Sequence, residues 1–163
     1  MAKAAINEGK YAQAFPSFGP ERRGAPVLAF DRISSEQPIK VRAEVAQPDV
    51  VVVLDPGLLR IVDVTSGLKE NGVLIINTKR PAEDIKSELG VKCRLATIDA
   101  TKIARELLGV PITNTTMVGA LIKATGAVKL ESLLEPLKQR FDRLAEKNIS
   151  AMKRAYEETS VKE

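Results

Sequence analysis

Apolar and polar positions follow two different patterns along this chain. Residues 11–15 read as a short strand, and 27–33 and 39–42 as two further β runs. The five-residue break 34–38, with Ser34, Ser35 and Pro38, predicts a hairpin between the last two, so part of the sheet should be antiparallel. The pattern then changes. Val50-Val51-Val52-Val53-Leu54 is a continuous apolar run, the mark of a strand covered on both faces of a parallel sheet. Residues 73–76 repeat it, and 93–98 make a third strand. Between them lie helix-sized segments at 57–68, 81–89 and 100–108. Pro81 suits a first helical position, and Gly90 and Gly109 suit helix stops. Strands and helices alternating with short connections describe βαβ units with right-handed crossovers.

Residues 1–7 read as a helix stopped by Gly9, and 117–123 as another that Thr115 or Thr116 can cap. The exposed N–H groups of that helix's first turn can receive an anion. In the tail, Leu130, Leu133, Leu134, Leu137 and Phe141 form an apolar helical stripe. Pro136 predicts a kink or restart within it. Ile149, Met152 and Tyr156 continue a weaker stripe. The expectation is one α/β domain over 1–163, in three layers. A mixed, mostly parallel sheet carries helices on both faces, with an antiparallel hairpin near the N-terminus and a helical tail over 129–163.

Composition narrows the function classes. A chain of 163 residues, 44% apolar and 28% charged, is expected to fold as one soluble domain. It holds no apolar run of the roughly 18–20 residues that span a bilayer, and the expected location is the cytoplasm. The net charge of +4 is mixed in sign along the chain and aromatics are only 4%, which argues against nucleic-acid binding. There is no His, the usual general base near neutral pH. The single cysteine, Cys93, rules out an intrachain disulfide, a CxxC redox pair and a cysteine cage for a cluster. No catalytic residue and no metal ligand set is expected on this chain.

Its most distinctive stretch is the loop leaving Phe15. Pro16, Pro20 and Pro26 stiffen it, while Gly19 and Gly24 can turn it, around the adjacent Arg22 and Arg23. Two guanidiniums held on such a loop can grip phosphate or carboxylate oxygens through forked hydrogen bonds. They can equally pair with Glu21 or another acid of the same chain. The three buried strands end on Asp55, Asn77 and Asp99, which places these polar residues along one sheet edge. Ligands of open α/β sheets bind at that edge, although each residue can instead cap the turn or helix that follows it.

Phe15-Pro16-Ser17-Phe18-Gly19-Pro20-Glu21-Arg22-Arg23-Gly24-Ala25-Pro26-Val27 closely resembles the signature loop of the gamma subunit of pyruvate:ferredoxin oxidoreductase, in the 2-oxoacid:ferredoxin oxidoreductase family. The resemblance continues through Pro48-Asp49-Val50-Val51-Val52-Val53-Leu54-Asp55-Pro56, Pro111-Ile112-Thr113-Asn114-Thr115, and the tail around 146–148 and 155–156. It implies a subunit, inactive alone, of a complex converting pyruvate, CoA and oxidised ferredoxin into acetyl-CoA, carbon dioxide and reduced ferredoxin. It further implies alpha, beta and delta partner subunits. Thiamine diphosphate would lie on alpha and beta, and [4Fe-4S] clusters on beta and delta. CoA would bind a shared site: Arg22 and Arg23 contact its phosphates, Ser17 and Gly19 shape the loop, and Asn114 and Thr115 are secondary candidates at the sheet edge. Two alternatives remain open: a purely structural subunit whose arginines grip a partner carboxylate, and membership of a ketoisovalerate-type complex. The family's opening strand and glycine-rich loop, of the form Gly-Arg-Gly-Gly-Gln-Gly, are not in this sequence. A start downstream of the family's usual one is therefore expected.

Overall fold

The computed structural model describes residues 1–17 and 26–163. A short helix α1 (Ala2–Asn7) leads into strand β1 (Tyr11–Ser17), and β2 (Leu28–Ser34) returns beside it. Strand β3 (Val50–Val53), a 3-10 turn at Pro56–Arg60, β4 (Val73–Asn77), α2 (Ala82–Leu89), β5 (Arg94–Ile98) and α3 (Ala100–Leu108) follow. The chain closes with α4 (Asn114–Thr125), α5 (Leu134–Phe141), α6 (Ala145–Glu158) and a last strand β6 (Ser160–Lys162). Strands β3, β4 and β5 are parallel, β6 is antiparallel to β5, and the sheet order is β3-β4-β5-β6.

The all-apolar β4 explains why the sheet is sandwiched. Val73 and Ile75 point to one face, where they pack with Ala96, Ile98, Ile103, Met117, Ala120 and Ala151 under α3, α4 and α6. Leu74 and Ile76 point to the other, against Val53, Ile85 and Leu95 under α2. Helices on both faces of a mixed sheet make the three-layer architecture that the alternating pattern predicts. Helices α2 and α3 stop where expected, at Gly90 (φ +62°) and Gly109 (φ +77°) in the left-handed conformation.

Four local expectations are corrected. The antiparallel hairpin is present, but it pairs β1 with β2, from Tyr11 opposite Ser34 to Ser17 opposite Leu28. Residues 39–42 form no strand. The Ser34 hydroxyl accepts the N–H groups of Glu36 and Gln37 and turns the chain away, and Pro38 has no N–H to give a ladder. Residues 57–68 hold a 3-10 turn and further bends in place of a helix. Asp63 draws Thr65 N–H and Oγ1 onto its carboxylate (2.9 and 2.6 Å), and Gly67 (φ +74°) lies too close to the Ala46 carbonyl for a side chain. Helix α4 begins at Asn114, so Thr115 and Thr116 lie inside it, buried. Pro136 falls in the first turn of α5, where no N–H is missed, and the tail instead restarts at Asp142 (φ +44°).

A charged clip joins the two ends of the chain. Glu8 accepts from Lys10 Nζ (2.8 Å) and from the Lys129 backbone N–H (2.6 Å), while Lys10 Nζ also donates to the Ala127 carbonyl (2.7 Å). The Lys10 ammonium foremost, with the Ser132 hydroxyl and the Lys129 N–H, lowers the Glu8 pKa from 4.5 to about 2. A carboxylate with a depressed native pKa adds stability above its unfolded value and loses it as pH falls through the native one. The gap in Tm between the parent and a Glu8→Gln variant should therefore be full at pH 6 and shrink steadily from pH 4.5 toward pH 2. A gap that stays constant over that range contradicts this role for the clip.

Candidate functional site

At the carboxyl edge, the three polar strand ends divide by environment. The Asp55 Oδ1 accepts Gly57 N–H at 2.8 Å and caps the 3-10 turn; the Asp99 Oδ1 accepts Lys102 N–H at 2.9 Å and caps α3. Both act on the segment that follows them. Asn77 is different: at 4% exposure it is buried between two elements. Its Nδ2 donates to the Leu54 carbonyl and to Thr101 Oγ1, both at 2.9 Å, and its Oδ1 accepts Thr101 N–H at 3.3 Å. One amide thus fixes the end of β3 and the start of α3 relative to β4, and sets the spacing of the whole edge. Periodicity places Asn77 on that edge but does not reveal the bracing, because the partners lie 23 and 24 residues away.

The other candidates sit on different elements. Ser17 ends β1, and its exposed hydroxyl donates to Glu44 Oε1 at 2.7 Å. Asn114 opens α4, exposed, with its Oδ1 accepting Thr115 N–H at 2.8 Å. The Thr115 side chain is turned inward and is 5% exposed. No hydrogen bond joins Ser17 to either of them. Gly19, Arg22 and Arg23 lie outside the described residues. Among the described residues no group of three metal-ligating side chains occurs, and no helix is long and apolar enough to cross a membrane.

The largest cavity among the described residues is a groove of about 1180 Å³ between the hairpin and β3. Phe15 and Phe30, stacked at 5.7 Å between ring centroids, form part of one wall. Val50 and Val52 form part of the other. Arg32 lies along it and reaches across to the carbonyls of Ala43 (3.0 Å) and Glu44 (3.2 Å). The sequence gives no sign of this groove, since it arises from the spacing of two separate sheets.

Comparison with known proteins identifies the architecture. The chain is 55% identical over 163 residues to the "Pyruvate/ketoisovalerate oxidoreductases common subunit gamma" of Pyrococcus furiosus, covering 99% of this chain and 88% of that one. It is 52% identical over 158 residues to the pyruvate synthase subunit PorC of Methanothermobacter marburgensis, covering 96% and 85%. The crystal structure of the pyruvate oxidoreductase subunit PORC of Thermotoga maritima superposes with a TM-score of 0.87 at 39% identity, over 99% of this chain and 87% of that one. The profile of the pyruvate ferredoxin/flavodoxin oxidoreductase family matches residues 1–158. On this evidence the chain belongs to the pyruvate ferredoxin/flavodoxin oxidoreductase family.

Proposed function

We propose that this chain is the gamma subunit of a pyruvate-type 2-oxoacid:ferredoxin oxidoreductase, completing the complex and helping to bind CoA. The observation that carries the reading is identity above 50% over nearly the full chain to proteins named as gamma or PorC subunits of pyruvate oxidoreductases. The composition supports a contributory role. Without His, and with one cysteine that is buried, the chain depends on other subunits for acid–base and redox chemistry. Alpha, beta and delta subunits would bring thiamine diphosphate and [4Fe-4S] clusters, with ferredoxin as electron acceptor.

Within that reading Arg22 and Arg23 hold CoA phosphate oxygens, on the loop joining β1 to β2, with Ser17 and Gly19 setting its shape. Asn114 and Thr115 are the secondary contacts, through the first-turn N–H groups of α4. A charge-assisted hydrogen bond contributes roughly 1.5–3 kcal/mol, so two arginines supply about 3–6 kcal/mol before binding costs. Micromolar affinity needs about 8 kcal/mol. The loop therefore shares the ligand with other surfaces of the complex. Replacing both arginines by Ala in the reconstituted complex should raise the KM for CoA at least about tenfold, with the KM for pyruvate little changed. An unchanged KM for CoA rejects the assignment. Weakened assembly at low salt with normal CoA dependence would favour instead a structural role, the arginines gripping a partner carboxylate.

A further inference from the structure

The two edges of the four-stranded sheet are treated differently. On the β5 side the chain closes its own edge: β6 pairs from Leu95–Lys162 to Thr97–Ser160, and Arg94 meets the Glu163 carboxylate at 3.2 Å. On the other side β3 has no strand partner among the described residues. The ladder shows which groups are left over. Val73 N–H donates to the Asp49 carbonyl at 2.9 Å, so Asp49, Val51 and Val53 turn their backbone groups toward β4. By the two-residue period of a strand, Val50 and Val52 turn theirs away. Those two residues line the groove.

An all-valine edge with unpaired backbone groups is a template for another strand. The opposite wall fits such an occupant. It is a hairpin with aromatic side chains, and within it Gln13 pairs with Arg32 in register. The Gln13 Oε1 and Arg32 Nε are both buried without a hydrogen-bond partner among the described residues. At about 1180 Å³ the groove exceeds the roughly 300–1,000 Å³ of small-molecule sites and suits a polypeptide segment.

We propose that this groove receives an extended segment, joined to the chain ahead of Met1, that pairs with β3 and merges the hairpin and the main sheet into one continuous sheet. Two observations select this occupant. Met1 itself lines the groove, whereas Glu163 lies across the sheet beside β5, so a segment continuous with this fold enters from the Met1 side. The Pyrococcus furiosus relative also has residues to spare, since this chain covers 88% of it. The consequence reaches the arginine loop. Residues 18–25 join β1 to β2, and among the described elements the hairpin's main packing is on α1. A strand filling the groove would fix the base of that loop against the sheet edge. The proposal stands independently of what the loop binds.

The test is a fusion, using the residues of the Pyrococcus furiosus relative that precede the matched region, placed in frame ahead of Met1. Hydrogen exchange would be followed at Val50, Val52 and residues 28–34, with size measured by light scattering. The expected result is a monomer in which exchange at Val50 and Val52 is slowed about a hundredfold relative to the unfused chain, with β2 protected in parallel. Equal exchange in both forms overturns the proposal. So does protection in the unfused chain that rises with its dimerisation, which makes a second copy the occupant. Protection that arises only on adding the other subunits of the complex assigns the groove to a partner strand and overturns it equally.

Discussion

Gly119→Ala lowers the thermal midpoint by about 6–12 °C, a loss of roughly 3 kcal/mol. Helices α4 and α6 pack along their length, and at Gly119 they approach so closely that a Cβ would lie 2.0 Å from the Met152 carbonyl oxygen and 3.0 Å from Tyr156 N. The obstacle is backbone, which no rotamer change relieves. In an open helix the same change would gain about 1 kcal/mol of propensity. Here the overlap forces the helices apart and disturbs the packing of Met117, Ala120 and Ala151 on the sheet, so steric cost outweighs propensity. Urea or thermal denaturation checks the result, with exposed Ser87→Ala as a control within about 0.5 kcal/mol of the parent. Unchanged stability in Gly119→Ala would mean that the close crossing of α4 and α6 is not present in solution.

Asn77→Ala is expected to cost a similar amount by a different route. Truncation leaves the Leu54 carbonyl and the Thr101 hydroxyl and N–H without the partner they share, in a place only 4% exposed. An orphaned buried polar group costs about 1–3 kcal/mol, and the total here is roughly 3 kcal/mol with the small cavity added. Part of the loss belongs to the pair with Thr101, and a double-mutant cycle isolates it. Asn77→Ala and Thr101→Ala should be coupled by about 1 kcal/mol, with the double variant less damaged than the sum of the singles. Additive losses would show that Asn77 braces β3 alone. A cost below about 0.5 kcal/mol for Asn77→Ala would remove the brace altogether.

The parts of the fold legible in the sequence are those with a local cause. Continuous apolar runs at 50–54 and 73–76 reveal strands covered on both sides, because no other placement buries both sets of side chains. Gly90 and Gly109 mark helix ends through their backbone freedom. The elements that local reasoning misplaced depend on distant partners. Strand β2 pairs backwards across residues 18–25 with β1, not forwards across the nearer turn, since Pro38 and the Ser34 hydroxyl spoil that turn as a hairpin. Strand β6 is three residues long, with Val161 its lone apolar side chain, and exists because the β5 edge is there to receive it. The same holds for the site. Asp55, Asn77 and Asp99 were placed on one edge by the strand pattern, but only the coordinates separate two caps from one brace. Arg22, Arg23 and Gly19 lie outside the described residues, and the solution experiments on CoA carry their test.

The way β6 finishes the chain has a practical corollary. Its last residue is pinned from two sides, by Lys86 reaching its carbonyl and by Arg94 at its side chain, and Lys162 meets Glu83 at 3.1 Å. The terminal tripeptide is thus masonry and not trim. An affinity handle butted directly against Glu163 would contend with these bonds, whereas one set off by a pliant spacer leaves the sheet's far border sealed.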